Sequence, residues 1–185
     1  TNIPNNTRAL LQQAETSQSV HSPEDYLVYY NERWSYSAFC ADVRAIAQSL
    51  RLELGLRPGQ PVGLAMRNCP EMLILMMAIT SVGGVVVFLN GWWTSQELDY
   101  ALRDSGARIV FADGKRIERL DPHAEALGLT LIGVREGQEQ GHRDYDALLA
   151  AGRGADWSAH AIEPDDDMAI MYSSGTTGQP KGVVQ

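Results

Sequence analysis

Between Ser173 and Gly182 the chain concentrates four hydroxyl side chains, three glycines and one lysine, in the order Tyr172-Ser173-Ser174-Gly175-Thr176-Thr177-Gly178-Gln179-Pro180-Lys181-Gly182-Val183. Glycines let successive backbone N–H groups turn into one concavity, which is how a loop cradles an anion. Serine and threonine hydroxyls add donors, and Lys181 adds a compact positive charge suited to phosphate oxygens. A plain turn would account for Gly and Ser but not for two threonines and a lysine in this order. The loop is not a Walker A motif, because Pro180 precedes Lys181 and Val183-Val184 reads as a strand where that motif has Ser/Thr and a helix. No Gly-x-Gly-x-x-Gly follows a strand, so a Rossmann dinucleotide site is not indicated. The triplet Asp165-Asp166-Asp167 reads as a solvated strand entry more readily than as a metal ligand.

The elements that must position this loop are legible upstream. Tyr26 to Tyr30 and Arg33 to Ser35 read as a hairpin turning at Asn31-Glu32, and a helix runs from Tyr36 with Phe39, Val43, Ile46, Ala47, Leu50 and Leu54 on one stripe. Val62–Met66, Val85–Leu89, Arg108–Ala112 and Thr130–Val134 read as strands. Between them lie an apolar helix around Met72–Ile79, introduced by Asn68 and Glu71 as a capping box, and a helix introduced by the capping box Thr94/Glu97. Asp121-Pro122 is read as a cap and first-turn proline before a short helix ending near Leu127. Strands separated by helices of about a dozen residues predict an α/β fold with a mainly parallel sheet flanked by helices. The expected layout is a leading segment and hairpin over 1–35, a βαβ sheet core over 36–134, loop, helix and linker over 135–167, and strand plus phosphate loop over 168–185.

Composition excludes other classes. Fifteen Lys+Arg against 23 Asp+Glu give a net charge of −8, a poor basis for general nucleic-acid binding. Met72 to Ile79 is too short to span a bilayer, so no transmembrane segment is expected. Cys40 and Cys69 are too few for a disulfide scaffold, which suits the cytoplasm. Cys69 at a helix start could have a lowered pKa, but a small buried apolar residue is the preferred reading. His21, His123, His142 and His160 lack metal-ligand spacing, the methionines at 72, 76 and 77 read as core, and no Gly-x-Ser-x-Gly elbow occurs. Trp92 and Trp93 read as a surface-to-core anchor rather than a substrate wall.

The loop as a whole resembles the phosphate-binding signature of the adenylate-forming superfamily, which joins acyl- and aryl-CoA synthetases, peptide-synthetase adenylation domains and firefly-type luciferases. The resemblance extends to Leu56-Arg57-Pro58-Gly59-Gln60-Pro61-Val62, to Asn68-Cys69-Pro70-Glu71 and to Glu97-Leu98-Asp99-Tyr100-Ala101-Leu102-Arg103-Asp104-Ser105. It implies that Ser173, Ser174, Gly175, Thr176, Thr177, Gly178 and Lys181 meet the phosphates of ATP, with Gly178 and Gly182 at backbone-permissive positions. It implies a two-step reaction that uses ATP, Mg²⁺ and coenzyme A to convert a small-molecule carboxylic acid into a thioester. The segment Asn90-Gly91-Trp92-Trp93-Thr94…Glu97-Leu98 is closer to fatty-acyl-CoA ligases than to peptide-synthetase domains. An adenylation domain that loads a carrier protein and a non-catalytic nucleotide-binding module are the alternatives. On this reading the chain is the N-terminal part of a longer ligase, with the C-terminal domain and the adenylating lysine beyond residue 185. The fragment alone is then expected to be inactive and to self-associate through uncovered apolar surface.

Overall fold

The computed structural model describes residues 25–140, 142–154, 162–163, 165–173 and 180–185. A two-stranded antiparallel hairpin, β1 (Asp25–Tyr29) and β2 (Glu32–Ser35), leads into α1 (Tyr36–Leu52). A seven-stranded sheet follows, made of β3 (Pro61–Ala65), β4 (Val85–Phe88), β5 (Ile109–Asp113), β6 (Thr130–Val134), β7 (Arg143–Asp144), β8 (Ala169–Ser173) and β9 (Lys181–Val184). Its spatial order is β7-β6-β5-β3-β4-β8-β9. Every pairing is parallel except β8 with β9, which is antiparallel. The connecting helices are α2 (Pro70–Ser81), α3 (Ser95–Ser105), α4 (Gly114–Leu127) and α5 (Tyr145–Gly152). The mainly parallel α/β sheet flanked by helices is thus observed.

The helices divide between the two faces. On one, α1, α2 and α5 bury Phe39, Ile46, Leu50, Ile74, Ile79 and Leu148 against Val62, Leu64, Val86 and Ile132. On the other, α3 and α4 bury Leu98, Leu102, Ile117, Leu120 and Leu127 against Val87, Val110 and Leu131. Burial on both faces is why the inner strands read as continuous apolar runs.

Local chemistry sets most helix ends. Ser35 caps α1 by accepting from the Ala38 N–H at 3.2 Å. In α3 the Thr94 hydroxyl accepts from the Glu97 N–H at 3.3 Å while the Glu97 carboxylate accepts from the Thr94 N–H at 2.7 Å, the reciprocal box predicted from sequence. Gly106 closes that helix at φ 73°, a left-handed conformation that glycine adopts without steric cost.

Two expected starts are corrected. The N-cap of α2 is Cys69, not Asn68, and it makes no side-chain capping bond. Glu71 does not reach back to the cap, because its carboxylate accepts from Arg135 Nε at 2.7 Å; Pro70 at the first helical position starts the helix instead. Nor does Asp121-Pro122 begin a helix: α4 starts at Gly114 and carries Pro122 inside it. The proline removes the hydrogen bond that the Glu118 carbonyl would have accepted. Both residues are exposed, and the buried Ile117, Leu120, Ala124 and Leu127 hold the helix through. The polar stretch expected as a loop after Val134 folds as a 3-10 helix (Arg135–Gln140) followed by β7.

Candidate phosphate-binding site

The loop is anchored by a strand pair. β8 lies parallel to β4 and antiparallel to β9, in the register Met171↔Val183, Tyr172↔Gly182 and Ser173↔Lys181. Ser173 and Lys181 therefore face each other at the last rung, both exposed. Residues 174–179, which include Ser174, Gly175, Thr176, Thr177 and Gly178, lie outside the described residues. Side chains alternate along a strand, so Met171, Ser173, Lys181 and Val183 share one sheet face. The opposite face of β8 turns Ile170 and Tyr172 onto the α3/α4 core.

Tyr172 fixes this rung to the body of the protein. Its hydroxyl donates to Asp104 Oδ2 at 2.8 Å and lies 3.1 Å from the Ala101 carbonyl, and its ring meets Trp93 edge-to-face at 5.6 Å. Burial, followed by the Asp104 carboxylate, holds the phenol well above its ordinary pKa, so it stays a neutral donor. Gly182 faces it across the pair. A Cβ there would stand 3.1 Å from Ile170 Cγ2 and 3.4 Å from Tyr172 Cε1, so this glycine provides room rather than an unusual backbone conformation. Its expected backbone role is corrected accordingly.

The loop leaves β8 at the carboxyl ends of the parallel strands, where open α/β sheets form ligand crevices. After β3 the chain passes to α2 on one face, while after β4 and β5 it passes to α3 and α4 on the other. The crevice between them, about 410 Å³, is lined by Met66–Asn68, Met72, Leu89–Trp92 and Arg116. Beside it lies a second concavity of about 560 Å³ around Arg67, Asp113, Lys115, Arg116 and Arg119. Asp113, buried at the end of β5, accepts from the Arg67 backbone N–H at 3.0 Å, from Arg67 Nε at 3.2 Å and from Arg116 Nη1 at 3.1 Å. Arg67 also donates to both oxygens of Glu136 at 2.7 Å, which lowers the Glu136 pKa. Arg116 and Arg119 donate to the Gly91 carbonyl at 2.9 and 3.2 Å, and Arg119 also to that of Trp93 at 3.0 Å, pinning the turn at 90–93.

Sequence reasoning missed this network, since its members follow four different strands and, of its ion pairs, only that of Asp113 with Arg116, three residues apart, is close along the chain. Of the expected tryptophan anchor only Trp93 serves. Trp92 is 86% exposed, with the Arg116 guanidinium carbon 6.0 Å from its ring centre. His21 and His160 lie outside the described residues, and Cys69 is partly buried. Asp165, Asp166 and Asp167 are solvated, and Asp166 accepts from the Glu163 N–H in a turn at 2.9 Å. Cys40 is buried, and burial pushes the Cys69 thiol up to about 11. Among the described residues no group of His, Cys, Asp or Glu is placed to hold a metal ion, and no helix is long and apolar enough to cross a membrane.

Residues 15–185 match the AMP-binding enzyme family. The chain is 31% identical over 154 residues to 4-coumarate–CoA ligase 3 of Oryza sativa subsp. japonica, covering 83% of this chain and 27% of that one. It is likewise 31% identical over 164 residues to the 2-succinylbenzoate–CoA ligase of Bacillus pumilus (strain SAFR-032), covering 86% of this chain and 29% of the other. Among solved structures, the N-terminal domain of FACL13 from Mycobacterium tuberculosis superposes with a TM-score of 0.79 at 30% identity, over 97% of this chain and 44% of that one. The chain therefore spans about a quarter of the length of the curated relatives it matches. With the sheet order, the strand-anchored loop and the match over 15–185 in agreement, the chain belongs to the AMP-binding enzyme family of adenylate-forming enzymes.

Proposed function

We propose that the protein carrying this chain is an acid–thiol ligase. In the first step a carboxylate oxygen of the acid attacks the α-phosphorus of ATP and pyrophosphate leaves, giving an acyl adenylate. In the second, the coenzyme A thiol attacks the acyl carbon and AMP leaves. The observation that carries this reading is the rung Ser173↔Lys181, which delivers both ends of a Ser/Thr/Gly-rich loop, exposed, to the carboxyl edge of the sheet. In this reading Ser173, Ser174, Gly175, Thr176, Thr177, Gly178 and Lys181 contact the ATP phosphates. Donors fixed in advance against developing charge are the expected contribution of such a loop. Mg²⁺ enters with the nucleotide, as the described side chains offer no cluster to hold it by themselves.

A fatty acid is the proposed acid class, supported by the Asn90–Leu98 segment and by the 26% identity to a fatty acyl CoA synthetase of Mycobacterium tuberculosis. An aryl acid is the second reading, favoured by the 4-coumarate–CoA ligases among the relatives. The cytoplasm, where both free thiols stay reduced, is the proposed location. The 185-residue chain by itself is expected to bind ATP weakly and not to adenylate, given the far greater length of its ligase relatives.

The test is acid-dependent pyrophosphate exchange in the complete protein, with fatty and aryl acids in parallel and then with CoA or a carrier protein as acceptor. Lys181→Ala should reduce exchange by tenfold or more, about 1.4 kcal/mol in the transition state. The melting temperature should stay unchanged, because the residue is exposed. Equal exchange rates in mutant and wild type would remove Lys181 from the site. Acyl transfer to a carrier protein but not to CoA would replace the ligase reading.

A further inference from the structure

A separate cavity of about 560 Å³ opens where α1, α2 and α5 converge, beside the hairpin. It lies at the end of β6, four strands from β8 in the sheet order, a separation of roughly 19 Å. Its chemistry is opposite to that of the phosphate loop. Glu32, Asp42, Glu71, Glu136 and Asp146 line it. Three guanidiniums pair with them: Arg135 with Glu32 and Glu71, Arg153 with Asp42, and Arg67 with Glu136. Five carboxylates against three guanidiniums, of which Arg67 is shared with Asp113, leave the surroundings net negative, so neither ATP nor a carboxylate suits this cavity.

Tyr145, 3% exposed, lines the same cavity, and its hydroxyl is buried with no hydrogen-bond partner. A buried phenol without a partner is an exception in native proteins. Glu71 and Asp42 are the charged groups that act on it most strongly. Asp42 sits on α1, Glu71 on α2 and Tyr145 on α5, so the three acceptors approach from three elements. That arrangement matches the cone of N–H donors of an ammonium group better than the flat fork of a guanidinium. Ile74 and Leu149 supply apolar wall, and the Trp34 ring joins them while its indole N–H donates to Asp42 Oδ2 at 3.2 Å. Arg135 braces the rim in a strained backbone conformation, φ 51° at a non-glycine residue, with its guanidinium 4.8 Å from the centre of the Tyr29 ring.

We propose that this cavity binds a primary alkylammonium group, whose N–H bonds are donated to Asp42, Glu71 and the Tyr145 hydroxyl and whose alkyl stem lies along Ile74, Leu149 and Trp34. The group comes from a free alkylamine or from a lysine side chain. A metal ion is disfavoured, as no described cluster has the ligands for one.

The test follows the melting temperature and calorimetric titration of the purified protein with n-butylammonium, with Nα-acetyl-lysine amide, and with tetramethylammonium, which carries the same charge but no N–H. Ionic strength is held equal throughout. The first or second probe should raise the melting temperature while tetramethylammonium does not. Response to both shows that a free amine suffices, and response to the lysine amide alone assigns a lysine side chain. Tyr145→Phe removes only the unpartnered hydroxyl, so the variant should fold at least as stably as wild type and lose tenfold or more in affinity for the amine. Three results would overturn the proposal: equal stabilisation by all three cations, a Tyr145→Phe protein with undiminished amine affinity, or stronger stabilisation by Mg²⁺ than by either amine.

Discussion

Cys69 shows how burial competes with position at a single residue. It is the N-cap of α2, where the positive end of a helix favours a thiolate. Its thiol is nevertheless pushed from the ordinary 9.0 up to about 11, chiefly by burial, and the Glu71 carboxylate adds to the shift. A thiol raised in the fold keeps its proton at pH values where the unfolded chain has already released it. Its stabilising contribution is therefore complete below about pH 9 and is lost as pH rises towards about 11. Urea midpoints should fall across that window, and Cys69→Ala should flatten part of the fall. At pH 7.5 iodoacetamide should label native Cys69 much more slowly than the urea-unfolded chain. Labelling at the unfolded rate would show that the thiolate is accessible after all.

Elements declared themselves in the sequence where the deciding contact is local. The α3 capping box spans three residues and is found as read, whereas the expected Asn68 box fails because Glu71 is taken by Arg135, 64 positions away. Pro122 misleads for a similar reason: only the fold shows that Ile117, Leu120, Ala124 and Leu127 are buried on one side and carry the helix through it. The seat of α5 on α1 is equally non-local. Ser49 Oγ donates to the Leu148 carbonyl at 2.6 Å inside the core, and Gly152 lies against the backbone of Ala45. A Cβ at Gly152 would collide with the Ala45 carbonyl, and backbone cannot swing aside as a flexible side chain can. Gly152→Ala should therefore separate the two helices and destabilise the protein by about 3 kcal/mol, the upper end for overpacking. Chemical denaturation reads this directly, and a loss under about 0.5 kcal/mol, the surface range, would mean that the helices are not so closely seated.

At the scale of the whole molecule, the candidate site was legible by residue type and illegible by place. The hydroxyls, glycines and lysine of the loop speak for phosphate in one dimension, while Arg67 meets Asp113 and Arg116 only because β3 and β5 end at one edge. The same topology leaves β9 paired on one side, by β8, among the described residues. On and beside that pair Met168, Met171, Val183 and Val184 are 44–53% exposed, with Met171 and Val183 together on one face of the sheet edge. Unpaired strand edges with apolar side chains are templates for pairing with another chain. The 185-residue chain should accordingly self-associate with rising concentration, as size-exclusion chromatography with light scattering would register. Val183→Lys places a charge at the edge, next to Lys181 on the same face, and should return the chain to a monomer without loss of helical signal. Because Ser173 and Lys181 share that face with Met171 and Val183, association through it should also slow proteolysis near the loop in the wild-type chain and not in the variant. A wild-type chain that stays monomeric from micromolar to near-millimolar concentration would show that this edge is protected as it stands.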